Sequence, residues 1–209
     1  MKLVLTEETR ERELCAQEEV LVRCRCVLPK LQPLSAGAQR RLERYITELE
    51  RRWNGACEGW LLEQAAEGAR LARRNALPFA PFEAVLDFET TRLDDRFWSV
   101  LWRWQVTWQG EAVLLRRWGQ VWDLERGMPC RVEQFLPEKR KERRRFWRRL
   151  KEAAREAGVH GMGWRHGLVW CTLTEAELVC GWASLANPVS DSDFFTVSTP
   201  FSEETVQFC

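Results

Sequence analysis

The chain has 209 residues, of which 45% are apolar and 30% charged, with a formal net charge of +1. That length fits one large domain or two small ones, and this balance of apolar and charged residues excludes a disordered chain. Near-neutrality also excludes a global electrostatic pull toward nucleic acid or anionic membrane, so any such binding has to come from a local patch.

The N-terminus, Met1 to Glu8, meets charge too soon for the apolar stretch of a signal peptide. Nowhere is an apolar run long enough to span a bilayer. The expectation is a cytoplasmic chain without export signal, anchor or membrane insertion. Glu18 to Leu28 then alternates: Val20, Val22, Cys24, Cys26 and Leu28 point one way, Arg23 and Arg25 the other. This is the pattern of a half-buried strand, which Pro29 and Pro33 are expected to end.

Ala36 to Asn75 reads as a long helix. Leu42, Tyr45, Ile46, Leu49, Trp53, Ala56, Cys57 and Trp60 recur at spacings of three and four, with arginines and glutamates around them. Gly55 and Gly59 weaken its middle and predict a kink or break there. Pro78 and Pro81 stop it.

A β-rich stretch follows. Phe82 to Thr91 is one expected strand, and Asp94-Asp95 a turn. Phe97 to Gln109 places Trp98, Val100, Trp102, Trp104, Val106 and Trp108 on one face. Gly110 turns the chain into Glu111 to Leu124, and Glu125-Arg126-Gly127 turns it again, as in an antiparallel meander. Pro137 to Gly158 predicts a second, basic amphipathic helix with Phe146 and Leu150 in its apolar stripe. A Gly-rich loop from Gly158 to Gly167 follows, then short strands at Leu168–Cys171, Glu177–Trp182 and Phe194–Val197, with a turn at Asn187-Pro188.

The expected fold is α+β: an antiparallel sheet with a long N-terminal helix and a second basic amphipathic helix packed on one face. The expected division is 1–80, a strand plus long helix, and 81–209, β-rich, the two packed as one unit. The order of elements is similar to that of the RsiV-like domain family, which includes the extracellular sensor part of a lysozyme-responsive anti-sigma factor. Trp98 to Trp108 resembles the family's central strand. Trp118 to Gly127, with Asp123-Leu124 before the turn and Phe135-Leu136 after it, resembles the hairpin that follows. Leu173-Thr174 to Val179 resembles a late strand opening, and Phe195 to Glu203 the terminal strand.

The resemblance spans residues 18 to 205. It implies the fold and a sensor-like binding role in bacterial stress or developmental signalling. The family's Tyr-Thr-Gly-Gly-Ala-His stretch is replaced by Thr107 to Ala112, and lysozyme binding is not carried over.

For chemistry, nine of the thirteen residues from Lys139 to Lys151 are basic, interrupted by Phe146 and Trp147. Arginine forks fit phosphate or carboxylate, and aromatics stack on bases. The plainer reading is a solvated helix face. Arg143, Arg144 and Arg148 are the candidate partner contacts. The tryptophan row is either a flat stacking platform or a core face that helices cover. Trp108, next to the turn, is the expected exposed member and a further partner-binding candidate.

The eight cysteines include no C-x-x-C pair and are expected as buried reduced thiols, with metal or redox chemistry as the alternative. His160 and His166 lack companions for a zinc site, and Gly161-Met162-Gly163 follows a helix where a phosphate-binding turn would follow a strand. No nucleophile elbow is present, and Asp87, Glu89, Asp94, Asp95 and Asp123 form no distinctive pair. The expectation is a non-catalytic binding domain, with no catalytic residue, metal or cofactor, for an unidentified protein or ligand. The alternative is a nucleic-acid-associated accessory protein using the basic helix 139–151. A hydrolase would instead show a pocket lined by perturbed carboxylates or a thiolate.

Overall fold

The computed structural model describes residues 3–136, 138–156, 170–183 and 194–201. Two sheets are present: six strands in the order β1 (Val4–Ala16), β2 (Glu19–Gln32), β3 (Phe82–Leu93), β4 (Phe97–Trp108), β5 (Glu111–Asp123), β6 (Met128–Pro129), and three in the order β7 (Trp170–Leu173), β8 (Glu177–Ala183), β9 (Phe194–Pro200). The larger sheet is curled and mostly antiparallel, and a helical stretch of 39 residues accompanies it. The chain is α+β, as its pattern predicts. Its residues form two compact units, 3–88 with 103–115, and 89–102 with the described residues from 116 onward. The unit boundaries cut β3, β4 and β5 in mid-strand.

In the first unit, β1 and β2 form a long antiparallel hairpin, with Val4 opposite Gln32 and Ala16 opposite Glu19. Its two-residue turn, Gln17-Glu18, has both φ values positive, at 51° and 65°. That hand of turn matches strand twist, although Asn-Gly is its usual signature. β1 has no counterpart among the predicted elements. Its period of two is carried by charge sign: Glu11 and Glu13 lie opposite Arg25 and Arg23, while Arg10 and Arg12 reach Glu50 and Glu58 of the helical stretch. An apolar-versus-polar reading is blind to that alternation.

β2 also runs through Pro29, contrary to the expected stop. β3 pairs only with Val22 to Cys26 of β2, so beyond Cys26 that edge carries no ladder for proline to interrupt. The β2–β3 pairing is parallel. Parallel neighbours require a long crossover, which the helical stretch supplies.

That stretch starts as α1 (Ala36–Ala56), where the Ser35 hydroxyl accepts from the Ala38 N–H at 3.3 Å. It widens into a π-helical turn at Cys57–Leu61, where Gly59 leaves helical geometry at φ −89°, ψ −112°. It resumes as α2 (Leu62–Arg74). The kink expected from Gly55 and Gly59 is present, and it falls at Gly59, where the two helices meet. Leu42, Trp53, Cys57, Leu61, Ala65 and Ala69 are buried along one stripe, and the helices lie against β2.

The second unit has its own core, built from Phe97, Val121, Phe135, Leu136, Leu173, Leu178 and the buried face of α3 (Arg140–Glu156) at Phe146 and Leu150. Ser99, fully buried, ties it together. Its hydroxyl meets Thr91 Oγ1 at 2.7 Å and accepts from the Leu173 N–H at 2.7 Å.

The β3–β4 turn is held by Asp94. Its carboxylate accepts from the N–H groups of Arg96 at 2.8 Å and Phe97 at 2.7 Å, and pairs with the Arg92 guanidinium. Burial alone would raise its pKa, but the Phe97 N–H, Arg92 and the Arg96 N–H outweigh that and hold it below the ordinary value. A depressed folded pKa contributes stability that is complete above the unfolded value of about 4 and is lost as acid passes below it. Asp94→Asn is therefore expected to flatten the stability–pH curve below about pH 4. Denaturant melts at stepped pH check this, and an unchanged slope would count against it.

Candidate functional site

α3 carries nine basic residues and three acidic ones. Its apolar side anchors in the core through Phe146 and Leu150, with Trp147 packed edge-on against Phe146 at 5.4 Å. The remaining surface faces solvent. Arg140, Lys141, Arg144, Arg145, Arg148 and Arg149 are exposed, and Arg143 is half-buried. Arg148 lies 3.7 Å from Glu152, which partly neutralises it. Of the three arginines singled out by sequence, only Arg144 is both exposed and without an ion pair among the described residues. Arg145 and Arg149 share that condition.

The tryptophan row is core for most of its length. Trp98 and Trp102 are fully buried, and Trp104 nearly so. Trp102 stacks on Trp118 at 6.2 Å, and Trp98 donates through Nε1 to Thr90 Oγ1 at 3.1 Å. Trp108 is the exposed member, at 36%. Even so, its indole N–H donates to the Ala80 carbonyl at 2.9 Å, and its ring stacks on Phe82 at 5.7 Å. Trp108 and the α3 arginines belong to different units.

Three of the carboxylates noted in the sequence, Asp87, Asp94 and Asp123, hold structure together. Asp87 forms a two-pronged pair with Arg103 at 2.9 and 2.6 Å, and Asp123 accepts from the Arg126 N–H at 2.9 Å inside its turn. The described residues contain no group of three or more His, Cys, Asp or Glu placed to hold a metal ion. His160, His166, the Gly158–Gly167 loop, the Asn187-Pro188 turn and Cys209 lie outside the described residues. Among the described residues, no helix is long and apolar enough to cross a membrane.

One constellation escapes a reading of the sequence. The pleat of β2 directs Cys24 and Cys26 toward the helices, and the π-helical turn brings Cys57 against Cys24. Arg12 lies beside this pair. Its guanidinium is held by Glu58 and by the Asn54 carbonyl at 3.4 Å. The hydrogen bond from Cys57 outweighs burial and, with Arg12, lowers the Cys24 pKa. The same bond, together with burial, raises Cys57 far above the ordinary thiol range. Cys26, Cys130 and Cys180 are each pushed up to about 12, chiefly by burial. A concavity of about 530 Å³ on the opposite face of β2 is lined by Glu11, Glu13, Arg23, Arg25 and Glu83. Arg12 and Cys24 also border it.

No known family model matches the chain, and no curated protein does. Solved structures share its fold, two DUF3298 family proteins among them. A DUF3298 family member from Bacteroides fragilis is similar over 95% of this chain and 90% of its own, at 7% identity and a TM-score of 0.56. A DUF3298 family protein from Pseudomonas aeruginosa is similar over 100% of this chain and 97% of its own, at 10% identity and a TM-score of 0.55. At such identities the likeness concerns fold alone.

Proposed function

We propose that this chain is a non-catalytic, cytoplasmic binding domain of the RsiV-like kind, serving bacterial stress or developmental signalling. Its contact surface is the solvent-facing side of α3, and its partner is an acidic protein. The supporting observation is the state of Arg144, Arg145 and Arg149, exposed on a helix whose other side is anchored, with no ion pair among the described residues.

Like charges spaced four apart on a helix destabilise it by about 0.2–0.5 kcal/mol per pair. Arg140/Arg144, Lys141/Arg145 and Arg145/Arg149 are all such pairs. Folding alone gives no reason to concentrate them, whereas an anionic partner relieves the repulsion. The second reading, a nucleic-acid-associated accessory protein, draws on the same cations, since arginine forks fit phosphate as well as carboxylate.

Replacing Arg144, Arg145 and Arg149 together with alanine is expected to leave stability within about 0.5 kcal/mol, because all three are exposed. Capture of the partner from host lysate is expected to fall about tenfold or more. Undiminished capture by the triple variant would refute the assignment of α3. Wash conditions separate the two readings: a discrete protein retained at high salt supports the first. Nucleic acid released steeply as salt rises supports the second.

A further inference from the structure

We propose that Cys24 and Cys57 are a peroxide-oxidised thiol pair that closes to a disulfide between β2 and the π-helical turn. This pair is independent of the role of α3. Three placements carry it. Arg12 is the cross-strand partner of Cys24, and its guanidinium reaches Glu58 and the Asn54 carbonyl on either side of Cys57, so the two thiols meet at one arginine although they are far apart in sequence. Arg12, itself fixed by Glu58, sets a guanidinium beside Cys24, where it favours a thiolate. The π-helical turn is also the weak point of the helical stretch. Gly59 leaves helical geometry there, and the space where its Cβ would lie is open for 4 Å. Winding defects of this sort recur at functional sites. Local opening at this turn gives a small oxidant a route to thiols that are otherwise 3% and 0% exposed.

The chemistry closes with hydrogen peroxide as the oxidant. The Cys24 thiolate attacks one peroxide oxygen and the O–O bond breaks. The departing hydroxide takes up a proton and leaves as water, and Cys24 becomes a sulfenic acid. Cys57 sulfur then attacks the Cys24 sulfur, the S–O bond breaks, and the hydroxyl leaves as a second water with the Cys57 proton. The two thiols lose two electrons and peroxide gains two.

The molecule contains its own comparison. Cys171 and Cys180 are directly opposite each other on β7 and β8, and both are buried. Burial drives both thiols up, and no cation appears among the causes of either shift. Proximity is thus present in both pairs, and an activating cation only in the first.

The test treats the full reduced chain with a pulse of hydrogen peroxide, then quenches with acid, denatures and alkylates. Peptide mass spectrometry reads which thiols were consumed. The expected product is a Cys24–Cys57 cross-linked peptide, lighter by two hydrogens, formed before any Cys171–Cys180 link. Cys57→Ser is expected to stall Cys24 as a sulfenic acid trapped by dimedone. Arg12→Ala is expected to slow loss of the Cys24 thiol about tenfold, with Arg12→Lys restoring most of the rate. Wild-type protein in which Cys15 or the Cys171–Cys180 pair is consumed while Cys24 and Cys57 still alkylate fully would overturn the proposal. An unchanged rate in Arg12→Ala would overturn it as well.

Discussion

Truncating Trp102 to alanine is expected to lower the unfolding free energy by about 3–5 kcal/mol, the range for deleting a buried aromatic ring. The ring is fully buried, stacked on Trp118 at an interplanar angle of 16° and set edge-on to Trp98 at 6.4 Å. Removing it strips two aromatic neighbours of a partner and leaves a void too enclosed to collapse. Trp102→Phe keeps most of the ring and is expected to cost clearly less. Trp108→Ala should also cost less, since Trp108 already keeps a third of its surface in water. Chemical denaturation followed by far-ultraviolet circular dichroism measures all three. A Trp102→Ala loss below about 1 kcal/mol, or one no larger than that of Trp108→Ala, would mean that the row is not the core it is described as.

Gly119→Ala is expected to be nearly as damaging for the opposite reason. A Cβ at that position in β5 would lie 2.6 Å from the Cys171 carbonyl oxygen, the Thr172 methyl and the Trp170 ring. A backbone carbonyl cannot swing aside as a side chain can, so β7 would have to shift. Overpacking of this kind costs about 1–3 kcal/mol and sometimes more. Gly55→Ala in α1 supplies the contrast. Its Cβ would meet nothing within 4 Å, and alanine in a helix gains about 0.5–1 kcal/mol over glycine. The two variants should therefore move the denaturation midpoint in opposite directions. A neutral Gly119→Ala would show that β7 does not approach β5 so closely.

Both expectations depend on a difference between periodicity and proximity. The two-residue spacing of Trp98, Val100, Trp102, Trp104 and Val106 is legible in the chain because a strand covered on one side needs that spacing. The same holds for the helical stripe of Leu42, Trp53, Cys57 and Ala65, and for the Asp94 and Gly127 turns. β1 is different. Its residues alternate in charge, and its turn is Gln17-Glu18, so neither apolar spacing nor turn chemistry reports it. Only the opposed ladder on β2 and the acids of the helices make sense of Glu11, Glu13, Arg10 and Arg12.

The candidate sites divide along the same line. The basic character of α3 is composition and is visible at once. Which of its arginines are free is not, because Arg148 meets Glu152 one turn away while Arg144, Arg145 and Arg149 meet no acid among the described residues. The Cys24–Cys57–Arg12 group joins three segments, and the spacing within each is silent about the others.

By itself, then, the sequence determined the α+β class, the strand and helix periods, the one-faced spacing of the tryptophan row and the cationic face of α3. These follow from local periodicity and composition, which act over a few residues. Tertiary structure decided the charged edge strand β1, the parallel β2–β3 pairing, the glycine required at position 119 and the meeting of Cys24 with Cys57 beside Arg12. Each of these depends on which distant segments become neighbours, and that is set by the burial and pairing of the whole chain.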